Sequence, residues 1–280
     1  MRYYKKSNPE KPTLSKKSRK TDVVSSEFSD IPINVAEVNY RKKYGVKSPQ
    51  AFFVIISGGE EREKKYFKII ANQDKFRRIK IKFIADPNQL NPDGMLEKAE
   101  DEQKRYQTSQ GEQPDKFFIV SDVDHFMNDL LRIKPKCEKS NISLIISNSC
   151  FEIWLYYGKT KQRPTDFIIP EDYLKISRAF KNYLNNKFKG GIDPRHAIFD
   201  IEAAIANSHA NYNEDNNGIP KLFSTNMFQL AKQLLPFIKD ELSKMIADNK
   251  VKNQMFKKNY KIKILKSVIR NIISEIINFL

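Results

Sequence analysis

Four short runs of β-branched and aromatic residues, each followed by a longer helical stretch, limit what this chain can fold into more than any other feature. The runs are Ala51–Ser57, Ile79–Ile84, Lys116–Ser121 and Ile142–Ser147. The helical stretches run from about Glu60 to Ala71, Pro92 to Tyr106 and Phe126 to Lys136, with a fourth opening near Asn148. Short apolar runs of this kind read as buried strands. Their alternation with helices requires crossover connections, and so an α/β fold: an open parallel four-stranded sheet with helices on both faces. The expected strand order is 2-1-3-4, with a crevice between strands 1 and 3. In open α/β sheets, sites form outside the carboxyl ends of the strands at such a switch point.

That order requires strands 1 and 3 to end in residues capable of chemistry, and they do. Strand 3 runs into Asp122-Val123-Asp124-His125, and strand 1 into Gly58-Gly59-Glu60-Glu61-Arg62-Glu63. Strand 4 adds Asn148 and, at the opening of the next helix, Glu152. If the backbone stays extended, alternation turns Asp122 and Asp124 to the same side, where their oxygens can hold one hard cation such as Mg²⁺ or Mn²⁺. The bland reading is a strand end whose aspartates only cap the next helix. Beside a phosphodiester, a divalent cation offsets phosphoryl charge and lowers the pKa of an attacking water, while a third carboxylate completes the shell or moves a proton. Glu60, Glu63 and Glu152 are the candidates for that third role. Glu60 ranks above Glu63, which sits one turn deeper and could simply satisfy the helix N-terminus. Gly58 and Gly59 suit either a close backbone approach to phosphate or a tight turn. His125 and Asn148 are further candidates for substrate contact.

Charge is concentrated at the two ends. Residues 1–50 carry 12 Lys/Arg against 5 Asp/Glu and residues 250–280 carry 8 against 1, within a chain of net charge +16. Basic ends suit phosphate backbones through counterion release, and they also keep a chain soluble. The expected organisation is a basic, largely disordered arm over 1–39 and an α/β domain over 40–158. A helical part over 159–247, with helices over about Glu171–Lys187, Pro194–Ala210 and Ser224–Ala247, packs on that domain, followed by a basic amphipathic helix over 248–280. The apolar seam of that last helix, from Ile262 to Phe279, packs against the chain itself or joins two copies. No apolar stretch reaches the ~18 residues a membrane span needs, which points to a cytoplasmic chain with no membrane partner. Cys137 and Cys150 lack metal-ligand spacing.

Three blocks carry a resemblance: Ser57-Gly-Gly-Glu-Glu-Arg-Glu-Lys-Lys-Tyr-Phe67, Ser121-Asp-Val-Asp-His-Phe126 and Ser147-Asn-Ser-Cys-Phe-Glu-Ile-Trp-Leu155, joined by a late Pro220-Lys-Leu-Phe-Ser-Thr-Asn-Met227. Together they resemble the RloB-like proteins, a Toprim group found among bacterial restriction and phage-defence genes. The resemblance spans about residues 40–240. It implies a Toprim-like fold and Mg²⁺-dependent chemistry at nucleic-acid phosphodiesters, with Asp122 and Asp124 as metal ligands; Glu60 as a further ligand and catalytic group, and Glu152 as a catalytic group, are read from their own places beside the crevice. It also implies antiphage defence, with an ATPase encoded nearby as a partner. One departure stands out. Many Toprim proteins carry Glu-Gly directly after strand 1, with that Glu moving protons or binding metal, and here Gly58 takes the Glu position. Either Glu60 substitutes for it, or the chain is a catalytically silent module that binds nucleic acid or nucleotide and signals to a partner. A phosphohydrolase using Asp122 as covalent nucleophile is a weaker alternative, because such a motif usually lies on the first strand.

Overall fold

In the computed structural model, which describes residues 49–59, 61–72, 74–85 and 91–250, the four expected strands lie side by side in the expected order. They are β1 (Ala51–Ser57), β2 (Ile79–Ala85), β3 (Lys116–Asp122) and β4 (Ile142–Asn148), all mutually parallel. The crossovers are α1 (Arg62–Ala71), α2 (Pro92–Gln107) and α3 (Met127–Lys139), and α4 (Glu152–Lys159) follows β4. The expected arm over 1–39, the side chain of Glu60 and nearly all of the expected terminal helix lie outside the described residues.

β1 is buried along its whole length, as a central strand covered on both faces must be. Its side chains divide by alternation. Phe52, Val54 and Ile56 join Phe117 and Ile119 of β3 in a core with Met95, Leu96, Leu130 and Ile133 from α2 and α3. Phe53, Ile55, Phe118 and Val120 face the opposite way, toward Tyr66 and Phe67 of α1 and Phe151, Trp154 and Leu155 around the start of α4. Each such side chain contributes roughly 1.5–3 kcal/mol by leaving water. The parity has a direct result for the site: Asp122, two residues beyond Val120 on β3, is directed to the face that carries α1 and α4.

Beyond α4 the chain is mostly helical, with four differences from the sequence expectation. α5 (Ile176–Lys187) begins later than Glu171, after a 3₁₀ turn over Tyr173–Lys175 whose N-terminus Asp172 caps. The helix expected over Pro194–Ala210 is divided into α6 (Pro194–Ala197) and α7 (Ile201–Ala210) by a 3₁₀ turn, where Asp200 is held by Lys159 at 2.5 Å. The helix expected to open at Ser224 starts instead at residue 227, as α8 over 227–250. The residues before it form a fifth strand, β5 (Ser224–Thr225), antiparallel to β4, so the sheet has five strands and is mostly parallel.

Asn226 extends this pairing with its side chain. Its Oδ1 accepts from the Ile146 N–H at 2.6 Å, and its Nδ2 donates to the Leu144 carbonyl at 3.1 Å. The amide thereby replaces a neighbouring strand along the outer edge of β4. Leu230, Leu234 and Ile238 of α8 then complete the core on the α1 face. Among the described residues, no helix is long and apolar enough to cross a membrane.

Candidate active site

Three carboxylates from three elements lie within electrostatic reach of one another at the carboxyl edge of the sheet. Asp122 ends β3, Glu63 lies in the first turn of α1 and Glu152 opens α4. Glu63 and Glu152 are buried, at 6% and 4% exposure. Asp122 keeps partial contact with solvent, but its Oδ1 is sealed. Neither Asp122 Oδ1 nor Glu152 Oε1 has a hydrogen-bond partner.

Glycine explains how Glu63 reaches this place. Its carboxylate folds back over Gly59, where an added Cβ would lie only 2.0 Å from Glu63 Oε2 and 2.3 Å from its Cδ. The same carboxylate accepts a hydrogen bond from its own backbone N–H. Ser57 steadies the turn by accepting from the Gly59 N–H at 3.1 Å. Besides the two reasons for glycine given by sequence, the fold therefore supplies a third: Gly59 leaves the space that a carboxylate fills. Glu60 lies outside the described residues; among the described acids of this helix start, Glu63 is the one within electrostatic reach of Asp122 and Glu152.

Two cations border the cluster. Arg62 Nε lies 3.5 Å from Glu152 Oε1 without making a hydrogen bond, and Lys181 Nζ lies 3.9 Å from Glu152 Oε2. Lys181 comes from α5, which Ser177 fastens to the loop after β4 by donating to the Ser149 carbonyl at 3.3 Å. Sequence reasoning missed Lys181. It is a lysine in an amphipathic helix 29 positions beyond Glu152, and local pattern gives no sign that α5 crosses the sheet edge.

These groups perturb one another strongly. Burial drives the Asp122 carboxyl well above its ordinary range, helped by the charges of Glu63 and Glu152 and opposed by Lys181. Burial also raises Glu63 to about 7, with Glu152 adding to the rise and Arg62 and Lys181 opposing it. For Lys181 burial acts downward, yet Glu152, Asp122 and Asp124 outweigh it and leave the ammonium raised. Acids crowded into a desolvated site compete for too little positive charge.

The other expected site residues are placed differently. Asp124 does not continue the strand: β3 ends at Asp122, and Asp124 sits in a turn at φ +30°, with its N–H donating to the Ser149 carbonyl at 3.2 Å. The extended geometry that would turn both aspartates alike is thus broken between them. Asp124 remains within electrostatic reach of Asp122 but lines a separate cleft of about 460 Å³ with Met127, Asn128 and Tyr173. His125 is exposed, tilted against the Phe126 ring, and 3.7 Å from Asp124 Oδ2. Asn148 directs its side-chain N–H to the Pro220 carbonyl at 2.8 Å, a contact that holds the 220s against β4. Gly58 follows β1 at the mouth of the turn.

Carboxylate oxygens are the donors a hard divalent cation takes, and the two buried oxygens without partners fit Mg²⁺ or Mn²⁺. As the side chains stand, no three His, Cys, Asp or Glu among the described residues are grouped so as to hold a metal ion. Asp122 and Glu152 are the pair with oxygens to offer.

Fold and cluster together define an α/β protein with a mostly parallel sheet and a buried carboxylate site at its carboxyl edge. Comparison with known families makes this more specific: the RloB-like protein family matches residues 53–234, from within β1 to the first third of α8. The chain belongs to the RloB-like family. No curated protein and no solved structure matches it.

Proposed function

We propose that this chain is a metal-dependent nuclease with a Toprim-like site, cleaving phosphodiesters of DNA or RNA in antiphage defence, with an ATPase as partner. One observation carries the reading: Asp122 Oδ1 and Glu152 Oε1 are buried carboxylate oxygens without hydrogen bonds, at the sheet edge where α/β proteins do chemistry. An unpartnered buried carboxylate is costly, and a ligand that supplies positive charge relieves that cost. Asp122 and Glu152 would hold Mg²⁺ or Mn²⁺, with Asp124 within electrostatic reach of Asp122. The bound ion would offset charge on the phosphoryl oxygens and acidify water.

The chain's own residues supply the rest. Glu63, raised to about 7, is suited to accept and return a proton near neutral pH, the role sequence reading gave to Glu60. Arg62 and Lys181 stand where they can meet a phosphate's charge as well as Glu152's. The same two cations favour a second reading. In a silent module that binds nucleic acid or nucleotide and signals, Arg62 and Lys181 are permanent counter-ions and Gly58 marks the lost catalytic acid.

Incubation with Mg²⁺ or Mn²⁺ and supercoiled plasmid, single-stranded DNA and transfer RNA separates the two readings, with Asp122→Asn and Glu152→Gln as controls. Metal-dependent cleavage that both substitutions abolish supports the nuclease. Tight binding without cleavage under any metal supports the silent module.

A further inference from the structure

Outside the acidic cluster, a strongly charged cleft of about 640 Å³ lies between the start of α1 and the segment leading into α6. Four cations line it, Arg62, Lys65, Lys189 and Arg195, against the carboxylates Glu61 and Asp193. We infer that this cleft carries the sugar-phosphate backbone of a nucleic-acid strand, and that Arg62 is the junction through which the strand passes to the acidic cluster. The inference rests on the nuclease reading for what happens to the strand, but not for its binding.

Arg62 forms the wall common to both places. Its Nη1 donates to the Ile192 carbonyl at 3.4 Å on the cleft side, and its Nε faces Glu152 on the other. The two carboxylates do not neutralise the cleft. Glu61 pairs with Lys65 in the open, and Asp193 takes Arg195 at 2.7 Å in an exposed fork, both of them solvent-screened pairs that an arriving phosphate can share. Lys189 has no ion pair among the described residues. The floor beneath is glycine: Gly190 and Gly191 have φ of +108° and +88°, and Gly190 has open space where a Cβ would project. Bare backbone at this point lets a bulky polymer approach closely. The cleft is far larger than a single phosphate needs. Phosphate contacts of this kind fix a strand's register without reading its bases.

The test is fluorescence anisotropy of the full chain with a labelled 20-nucleotide DNA strand, the RNA of the same sequence and the DNA duplex, between 50 and 300 mM salt. Lys65→Ala/Lys189→Ala leaves both the fold and the acidic cluster untouched. It should weaken binding about tenfold near 0.1 M salt. On the single strands it should also lower the steepness of log affinity against log salt by about 1.4, the value for two lost phosphate contacts. Lys116→Ala/Lys139→Ala removes the same charge from the opposite edge of the sheet and should change neither. Equal losses from both pairs, an unchanged salt slope, or adenosine triphosphate binding that depends on Lys65 and Lys189 while strand binding does not would each overturn the inference. The two readings fail separately. Metal-dependent cleavage with normal strand binding by the Lys65/Lys189 variant refutes the cleft and leaves the nuclease. Strand binding that the variant loses, with no cleavage by the unaltered chain, does the opposite.

Discussion

Replacing Glu63 with glutamine should remove a large part of this protein's sensitivity to alkali. Glu63 rises from its ordinary 4.5 to about 7 in the folded chain because it is buried beside Glu152. A carboxyl raised on folding stabilises the fold fully below its unfolded value. That contribution is lost as pH climbs through the folded value, so the window runs from about 4.5 to about 7. A shift of this size corresponds to about 3 kcal/mol between the ends of the window. The chain's single tryptophan, Trp154, is buried two residues past Glu152 and reports unfolding through its emission. Urea denaturation in chelator-containing buffer at pH 5 and pH 8 measures the effect. The unaltered chain should lose about 2.5 kcal/mol more than Glu63→Gln over that interval, and the two should agree within about 1 kcal/mol at pH 5. Gly59→Ala should act in the same direction, because its Cβ would occupy the place of the Glu63 carboxylate and drive it toward water. Parallel pH profiles for the unaltered chain and Glu63→Gln would refute the reasoning.

Two other substitutions test separate parts of the structure. Asp122→Asn should raise the melting temperature in chelator at pH 8, because it removes a buried charge whose Oδ1 has no partner, and should abolish any stabilisation by Mn²⁺; a lower melting temperature under those conditions would contradict it. Asn226→Ala leaves the Ile146 N–H and the Leu144 carbonyl without partners and should cost about 2–4 kcal/mol in urea denaturation, whereas a loss below 1 kcal/mol would mean the edge of β4 re-pairs without it.

The sheet was legible because its strands are defined locally. An unbroken apolar run such as Phe52–Ile56, bounded by Pro49 and by Gly58-Gly59, leaves little choice of structure, and βα alternation then limits the order. β5 was not legible: two residues make no pattern, and Ser224-Thr225 read as well as the start of a helix as they do as an edge strand. At the site, Asp122 and Glu152 could be chosen from their places at strand and helix ends. Glu63 ranks below Glu60 in the sequence, since its role depends on a side chain folding back over Gly59 that no local pattern shows. Lys181 carried no signal, because its closeness to Glu152 comes from the path of α5 across the sheet edge. The shared direction expected for Asp122 and Asp124 was conditional on an extended chain, and the strand ends at Asp122 with Asp124 at positive φ.

Closure of β4 by Asn226 also has a consequence for how the protein is made. The side chain that seals Ile146 and Leu144 lies some 80 positions later in the chain. While the ribosome is still producing the intervening residues, β4 presents a raw flank able to recruit a strand from a neighbouring nascent chain. Translation that stops short of Asn226 therefore yields a product with an adhesive margin, and a polysome, which holds many nascent copies of the chain on one message, is where that margin would first find a mate.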